Sequence, residues 1–171
     1  MKLGFKKLDE RAIIPSKRKE DAGYDVYGVF DDDEVFIRPG EVVKVGCKIA
    51  SVIPFGHAVI LKERSSLGSK GVAVRAGVID YGYRGEWIVC LNNTSNKTVI
   101  LSSNVQDTLD RMATSRSFNN DNTVVYPMDK AICQAVLIKI PDEVEVVEVD
   151  DEEFAKHVSV RGEGAFGSTG K

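Results

Sequence analysis

An all-β fold is predicted by three features: short runs rich in β-branched and aromatic residues recur along the chain, glycine and proline punctuate them, and helical spacing is confined to two stretches. The expected strands are Glu34 to Arg38, Val42 to Val52, His57 to Leu61, Trp87 to Leu91, Thr98 to Leu101, Ala131 to Ile140 and Val144 to Val149. Pro39-Gly40, Pro54-Phe55-Gly56 and Gly82 supply turns between them. Several runs are apolar on both faces, as when two sheets pack or subunits associate, so a sandwich or jelly-roll barrel follows. Val105 to Met112 breaks the pattern, placing Val105, Leu109 and Met112 at helical spacing before the polar run Ala113 to Thr123. Residues Ser102 to Tyr126 therefore read as an inserted helix and loop. A second helical turn is expected at Asp150 to His157, whose leading acidic residues suit a helix N-terminus.

The 171 residues fit one domain, residues 1–171, and 43% apolar with 29% charged residues is an ordinary globular composition. Net charge is −3 and basic residues cluster only at Lys17 to Lys19, which argues against a nucleic-acid face. No stretch reaches the roughly 18 apolar residues of a membrane span and the N-terminus lacks an apolar leader, so a cytoplasmic protein without membrane contact is expected. Cys47, Cys90 and Cys133 stand singly in apolar runs and read as reduced core residues; His57 and His157 read as surface or capping residues.

Chemistry-bearing residues concentrate in five segments. Asp21 to Tyr27 (DAGYDVY) sets two carboxylates around a small-residue turn. Lys62 to Gly71 (KERSSLGSKG) places Arg64, Ser65 and Ser66 beside glycines, so a guanidinium, hydroxyls and N–H groups can face one anion. In Gly77 to Trp87 (GVIDYGYRGEW), Asp80 follows β-type residues and precedes a glycine turn, where a carboxylate can orient and deprotonate water while Tyr83 stacks on a sugar. Met128 to Ala135 (MDKAICQA) puts Asp129 and Gln134 in an apolar run, where a glutamine needs defined partners. The tail Arg161 to Lys171 (RGEGAFGSTGK) joins an arginine and a phenylalanine to a glycine-rich backbone that can wrap an anion. Its G-x-G-x-x-G match lacks the strand before and helix after that a dinucleotide fingerprint needs. A P-loop lysine, a metal-binding histidine pair and a G-x-S-x-G elbow are all missing from the sequence.

In order, the five segments resemble the five motifs of the trimeric dUTPases, and the match runs from about Asp21 to Lys171. The resemblance implies a distorted jelly-roll homotrimer that hydrolyses dUTP to dUMP and pyrophosphate, keeping uracil out of DNA and supplying dUMP for thymidylate synthesis. Each active site would draw on three chains. One gives Asp25, Arg64, Ser65, Ser66 and Gln134, another the hairpin with Asp80 and Tyr83, and the third a lid over residues 161–171. By the same resemblance Asp80 is the base, Mg²⁺ is the cofactor with Asp25 reaching it through water, and Val74, Gly77, Val78 and Ile79 line the base. Arg161, Phe166, Gly167 and Ser168 would close over the nucleotide. Ala165 stands where the family usually has a second adjacent glycine, and the insertion 102–126 is longer than the usual connection. As in some phage-type members, the insertion suggests a protein partner, and a nucleotide-dependent regulatory protein is the alternative reading. A dCTP deaminase-like enzyme fits less well, since that branch carries a glutamate where this chain has Cys90.

Overall fold

The computed structural model describes residues 1–114, 122–141, 144–160 and 162. Its strands are short and lie in four small sheets, and the chain separates into two units, residues 1–140 and 141–171. In the first unit β1 (Gly4–Lys7) pairs with β5 (Ile49–Val52), while β4 (Val42–Gly46), β9 (Ile88–Asn93) and β7 (Val72–Arg75) form a second sheet in that order. The third sheet runs β2 (Tyr24–Val26), β12 (Cys133–Lys139), β6 (His57–Lys62) and β8 (Val78–Ile79). The fourth is β11 (Thr123–Pro127), β10 (Thr98–Ser102) and β3 (Glu34–Ile37). The all-β class holds, in the distorted jelly-roll manner of many short strands wrapped on one core. Trp87, Leu91, Val59, Ile37 and Cys133 lie at its centre, all at most 1% exposed. The Trp87 indole N–H donates to Ser51 Oγ at 3.0 Å, so its one polar atom is satisfied, and Phe5 meets its ring edge-on with centroids 5.3 Å apart.

Three expectations are corrected. The run Val42 to Val52 is two strands, because Lys48 adopts a positive φ of 51° and the chain leaves one sheet for another there. Segment Ser102 to Tyr126 is not wholly helix and loop: α2 spans Val105–Thr114, but Thr123–Pro127 is β11, paired parallel to β10. Parallel neighbours require a crossover, and α2 lies within it. Val144 to Val149 forms no strand, and Val146 is 93% exposed. Its Val/Glu alternation has β propensity, but a strand is stable only when a neighbour takes up its N–H and C=O groups.

In the second unit a short helix, α3 (Asp151–Lys156), is capped by the Asp150 carboxylate, which accepts from Glu153 N at 2.8 Å. His157 closes that helix with its N–H on Phe154 O, as expected of a capping residue. Cys47 and Cys133 are fully buried and Cys90 partly so; burial pushes the Cys47 thiol up to about 12 and raises that of Cys133. No helix among the described residues is long and apolar enough to cross a membrane.

Candidate functional site

Strand register places the first cluster. Across β12 and β2, Gln134 faces Asp25, and across β12 and β6 it faces Lys62, so the three side chains stand in one row on one sheet face. Gly23 allows this row to close up, because a Cβ there would lie 2.5 Å from Gln134 Oε1. Gln134 Nε2 donates to Glu63 O at 2.8 Å, the defined partner its position demanded. After β6 the chain turns into the one-turn helix α1 (Ser65–Gly68), and Arg64 at its start reaches back over the row. Its Nε lies 2.9 Å from Asp25 Oδ1, Nη2 donates to Asp25 Oδ2 at 3.4 Å and Nη1 donates to Ala131 O at 3.2 Å. Asp25 is thereby paired but not buried, with its side chain 38% exposed.

These groups line a cleft of about 570 Å³, together with Ser16, Lys17, Arg18 and Asp21. The Ser65 hydroxyl is exposed and makes no bond among the described residues, so it is available to a ligand. Ser66 is instead tied to Tyr126 OH at 3.1 Å, a structural link from α1 to β11. Asp21 accepts from the Arg18 guanidinium and the Arg18 backbone N–H, which hold its carboxyl below the usual range. Lys17 donates to Asp21 O at 2.6 Å and lies 5.4 Å from the Tyr24 ring centroid. This cationic wall had a visible sign in the sequence, the basic run Lys17 to Lys19 directly before DAGYDVY, which bulk charge alone led us to set aside.

A second, separate cluster is the tight turn after β8, a hairpin-like reversal whose flanking strands, β8 and β9, lie in different sheets. Asp80 is exposed and has no side-chain partner among the described residues. A Cβ at Gly77 would sit 2.7 Å from Leu61 O, so glycine is required where this strand approaches β6. The Gly77 carbonyl accepts from Leu61 N at 2.7 Å; by ladder alternation the main-chain groups of Val78 then face the open edge. Val74 N–H is already engaged, donating to Glu63 Oε1 at 2.9 Å, which holds the Glu63 carboxyl below its ordinary value. Tyr83 N donates to Asp80 O at 3.0 Å and Tyr83 OH to Glu86 O at 3.0 Å, fixing turn and ring together. Glu86 in turn pairs with Lys48 at 3.3 Å. A small pocket of about 210 Å³ runs along Val78, Ile79, Asp80 and Tyr83.

Asp129 lies in an exposed turn rather than in a strand, and β12 begins only at Cys133. Arg161, Phe166, Gly167 and Ser168 lie outside the described residues; within the tail, Gly162 has a positive φ of 51°. Among the described residues no group of three or more His, Cys, Asp or Glu side chains is arranged to hold a metal ion.

A small jelly-roll whose cleft gathers Lys17, Arg18, Arg64 and an unengaged Ser65 hydroxyl, and whose turn after β8 presents a carboxylate unpaired among the described residues, has the groups of a nucleotide-handling β protein. The comparisons specify it: the dUTPase family model matches residues 9–106, and the chain belongs to the dUTPase family. It is 34% identical over 175 residues to the deoxyuridine 5'-triphosphate nucleotidohydrolase of Nautilia profundicola, with 100% of both chains covered. With the Hydrogenobaculum sp. enzyme of the same name it is 37% identical over 176 residues, covering 99% of each. The solved dUTPase of Staphylococcus bacteriophage 80alpha with dUPNHPP superposes with a TM-score of 0.69 at 25% identity, covering 99% of each chain.

Proposed function

We propose that this protein hydrolyses dUTP to dUMP and pyrophosphate in the cytoplasm, acting as a homotrimer of residues 1–171. One observation carries the assembly. Asp80 follows Ile79, which faces Val59 on β6, whereas Arg64 lies just past the far end of that strand. The two are thus some six residues apart along β6, roughly 20 Å at about 3.3 Å per residue. No single chain brings its own Arg64 and Asp80 to one phosphorus atom. A site shared between copies does, with the cleft of one chain facing the hairpin of another.

In that site Arg64, Ser65 and Gln134 hold phosphate oxygens, and Lys17 and Arg18 add positive field at the cleft wall. Val78 offers N–H and C=O to the uracil edge, since Val74 N–H and Gly77 C=O are engaged within the chain. Tyr83, its hydroxyl held by Glu86, presents its ring to the deoxyribose and leaves no space for a 2′-hydroxyl. Asp80 orients a water and accepts its proton as the oxygen attacks the α-phosphorus, and pyrophosphate leaves.

The chemistry of the donors fits Mg²⁺. Asp25 shares its charge with Arg64, which suits an outer-sphere role toward an ion that keeps several waters and takes its other ligands from phosphates. When bound, Mg²⁺ offsets negative charge on the triphosphate. The test is pyrophosphate release from dUTP, dCTP, dTTP and UTP with Mg²⁺, for the wild type and Asp80→Asn. Release from dUTP alone, lost in the variant, is expected; no release from dUTP sinks the reading.

A second role is favoured by α2. The helix is pinned by Thr108 and Arg111 on Glu34, yet Leu109 is 43% exposed, so it offers a rigid face to a protein partner. Equal partner recovery by the wild type and Leu109→Asp in a pull-down rejects that role.

A further inference from the structure

Among the described residues Asp80 has no side-chain bond to aim it, so its direction depends on the backbone that carries it. The ladder feeding that backbone is short: β8 meets β6 at Val59–Ile79 and Ile60–Val78, with one further bond from Leu61 N to Gly77 O just before it. Beyond Ile79 the chain enters a glycine-containing turn, whose freedom works against a fixed carboxylate. The turn is closed by Tyr83 N on Asp80 O and its base is held by Tyr83 and Lys48 on Glu86, but none of these contacts touches the Tyr81 side chain at its apex.

An aromatic contact restrains that apex. Continuing the antiparallel register brings Tyr81 level with His57, which makes Phe55 its diagonal neighbour, within reach of an aromatic side chain. The two rings meet edge to face, with centroids 5.5 Å apart and planes at 79°. Phe55 is 72% exposed and Tyr81 42%, so the pair lies outside the buried core. The turn presenting Phe55 is itself held on both sides: His57 N donates to Pro54 O at 3.2 Å, and Ile140 N to Gly56 O at 2.8 Å. On the hairpin side, Arg84 Nη1 donates to the Tyr81 carbonyl at 2.5 Å.

We propose that Phe55 is a positioning residue for the reaction: its ring clips Tyr81, replaces the missing rungs of the β6–β8 ladder, and so restricts the turn that aims Asp80. The inference rests on Asp80 being the base. It makes a surface phenylalanine outside all five motifs a determinant of turnover.

The experiment compares the full-length wild type, Phe55→Ala and Phe55→Tyr. Steady-state dUTP hydrolysis is one readout; exchange of the Tyr83 amide hydrogen, whose bond to Asp80 O spans the turn, is the other. For Phe55→Ala, kcat falls about three- to tenfold, the range one aromatic pair supplies. KM stays within about twofold, because substrate binding is not what the ring serves. Tyr83 amide exchange accelerates, and Phe55→Tyr restores both quantities. Unchanged exchange in Phe55→Ala overturns the proposal, as does a loss confined to KM or one that Phe55→Tyr fails to rescue. Should the wild type release no pyrophosphate, the hydrolase reading falls, while the exchange comparison still judges the brace.

Discussion

Asp25, on β2, and Asp80, directly after β8, are carboxylates carried by strands of one sheet, and the fold treats them in opposite ways. Asp25 is held through both oxygens by Arg64 and stands beside Gln134, whose amide is itself anchored. Asp80 is exposed, unpaired among the described residues, and aimed only through its backbone. On the proposed function, the difference separates gripping an anion from activating water. A phosphate site gains from groups ordered before the ligand arrives, since their ordering is not charged to binding. A base gains nothing from a permanent cationic partner, which would weaken its proton affinity.

The comparison breaks most sharply at Asp80. Replacing it with Asn keeps shape and exposure but removes the proton acceptor, so kcat should fall by about 10²–10⁴ while folding is unaffected. Equal thermal stability of the two proteins, read beside pyrophosphate release, checks that the loss is chemical. In the cleft the pattern inverts. Arg64→Ala removes a phosphate donor and strips Asp25 of its partner, so kcat/KM for dUTP should drop by roughly 30–150-fold, as for a lost charge-assisted bond of about 2–3 kcal/mol. Because Arg64 also donates to Ala131 O, this variant should lose thermal stability as well. An Arg64→Ala protein as stable as the wild type would mean that cleft and hairpin are not built on different principles.

Tyr126→Phe probes how deeply the cleft is built into the fold. The Tyr126 hydroxyl lies 3.1 Å from Ser66 Oγ and 3.1 Å from Ala131 O, joining β11 to the start of α1. Its removal should cost about 1 kcal/mol, or roughly 2–4 °C in Tm, with only a small effect on kcat. Differential scanning calorimetry decides it, and an unchanged Tm would show that the link contributes nothing.

How much of this was legible beforehand follows from the kind of signal each part carries. The strands of the core are local patterns, and most were read within a few residues. The break at Lys48 was not, because a positive φ at a lysine is imposed by the chain crossing between sheets. Thr123 to Tyr126 reads as loop because its strand identity depends on a parallel neighbour 25 residues earlier in register. Val144 to Val149 failed the other way, with strand composition but no partner strand among the described residues. Asp25, Arg64, Gln134 and Asp80 were named from their motifs, yet that Arg64 covers Asp25 while Asp80 stands alone is a fact of register. Glu86 and Phe55 escape the sequence because their contacts arise only when distant turns meet, whereas Lys17 acts locally, on Asp21 and Tyr24, and is masked only by the low bulk charge.

The smallest expected effect concerns Glu63, which supports the cleft without entering it. Its carboxylate accepts from Val74 N at 2.9 Å, and that bond, aided by Lys62 at 3.1 Å, holds its pKa below the ordinary value of 4.5. A depressed folded-state pKa means that the unfolded chain binds the proton more readily. The contribution to stability is therefore complete above pH 4.5 and is lost as pH falls through the lower folded-state value. Glu63→Gln keeps an oxygen to accept from Val74 but cannot titrate. Urea midpoints measured from neutral pH downward should show a shallower acid slope for the variant than for the wild type, with the difference appearing below pH 4.5. Parallel slopes would mean that the Val74 bond does not distinguish charged from neutral Glu63.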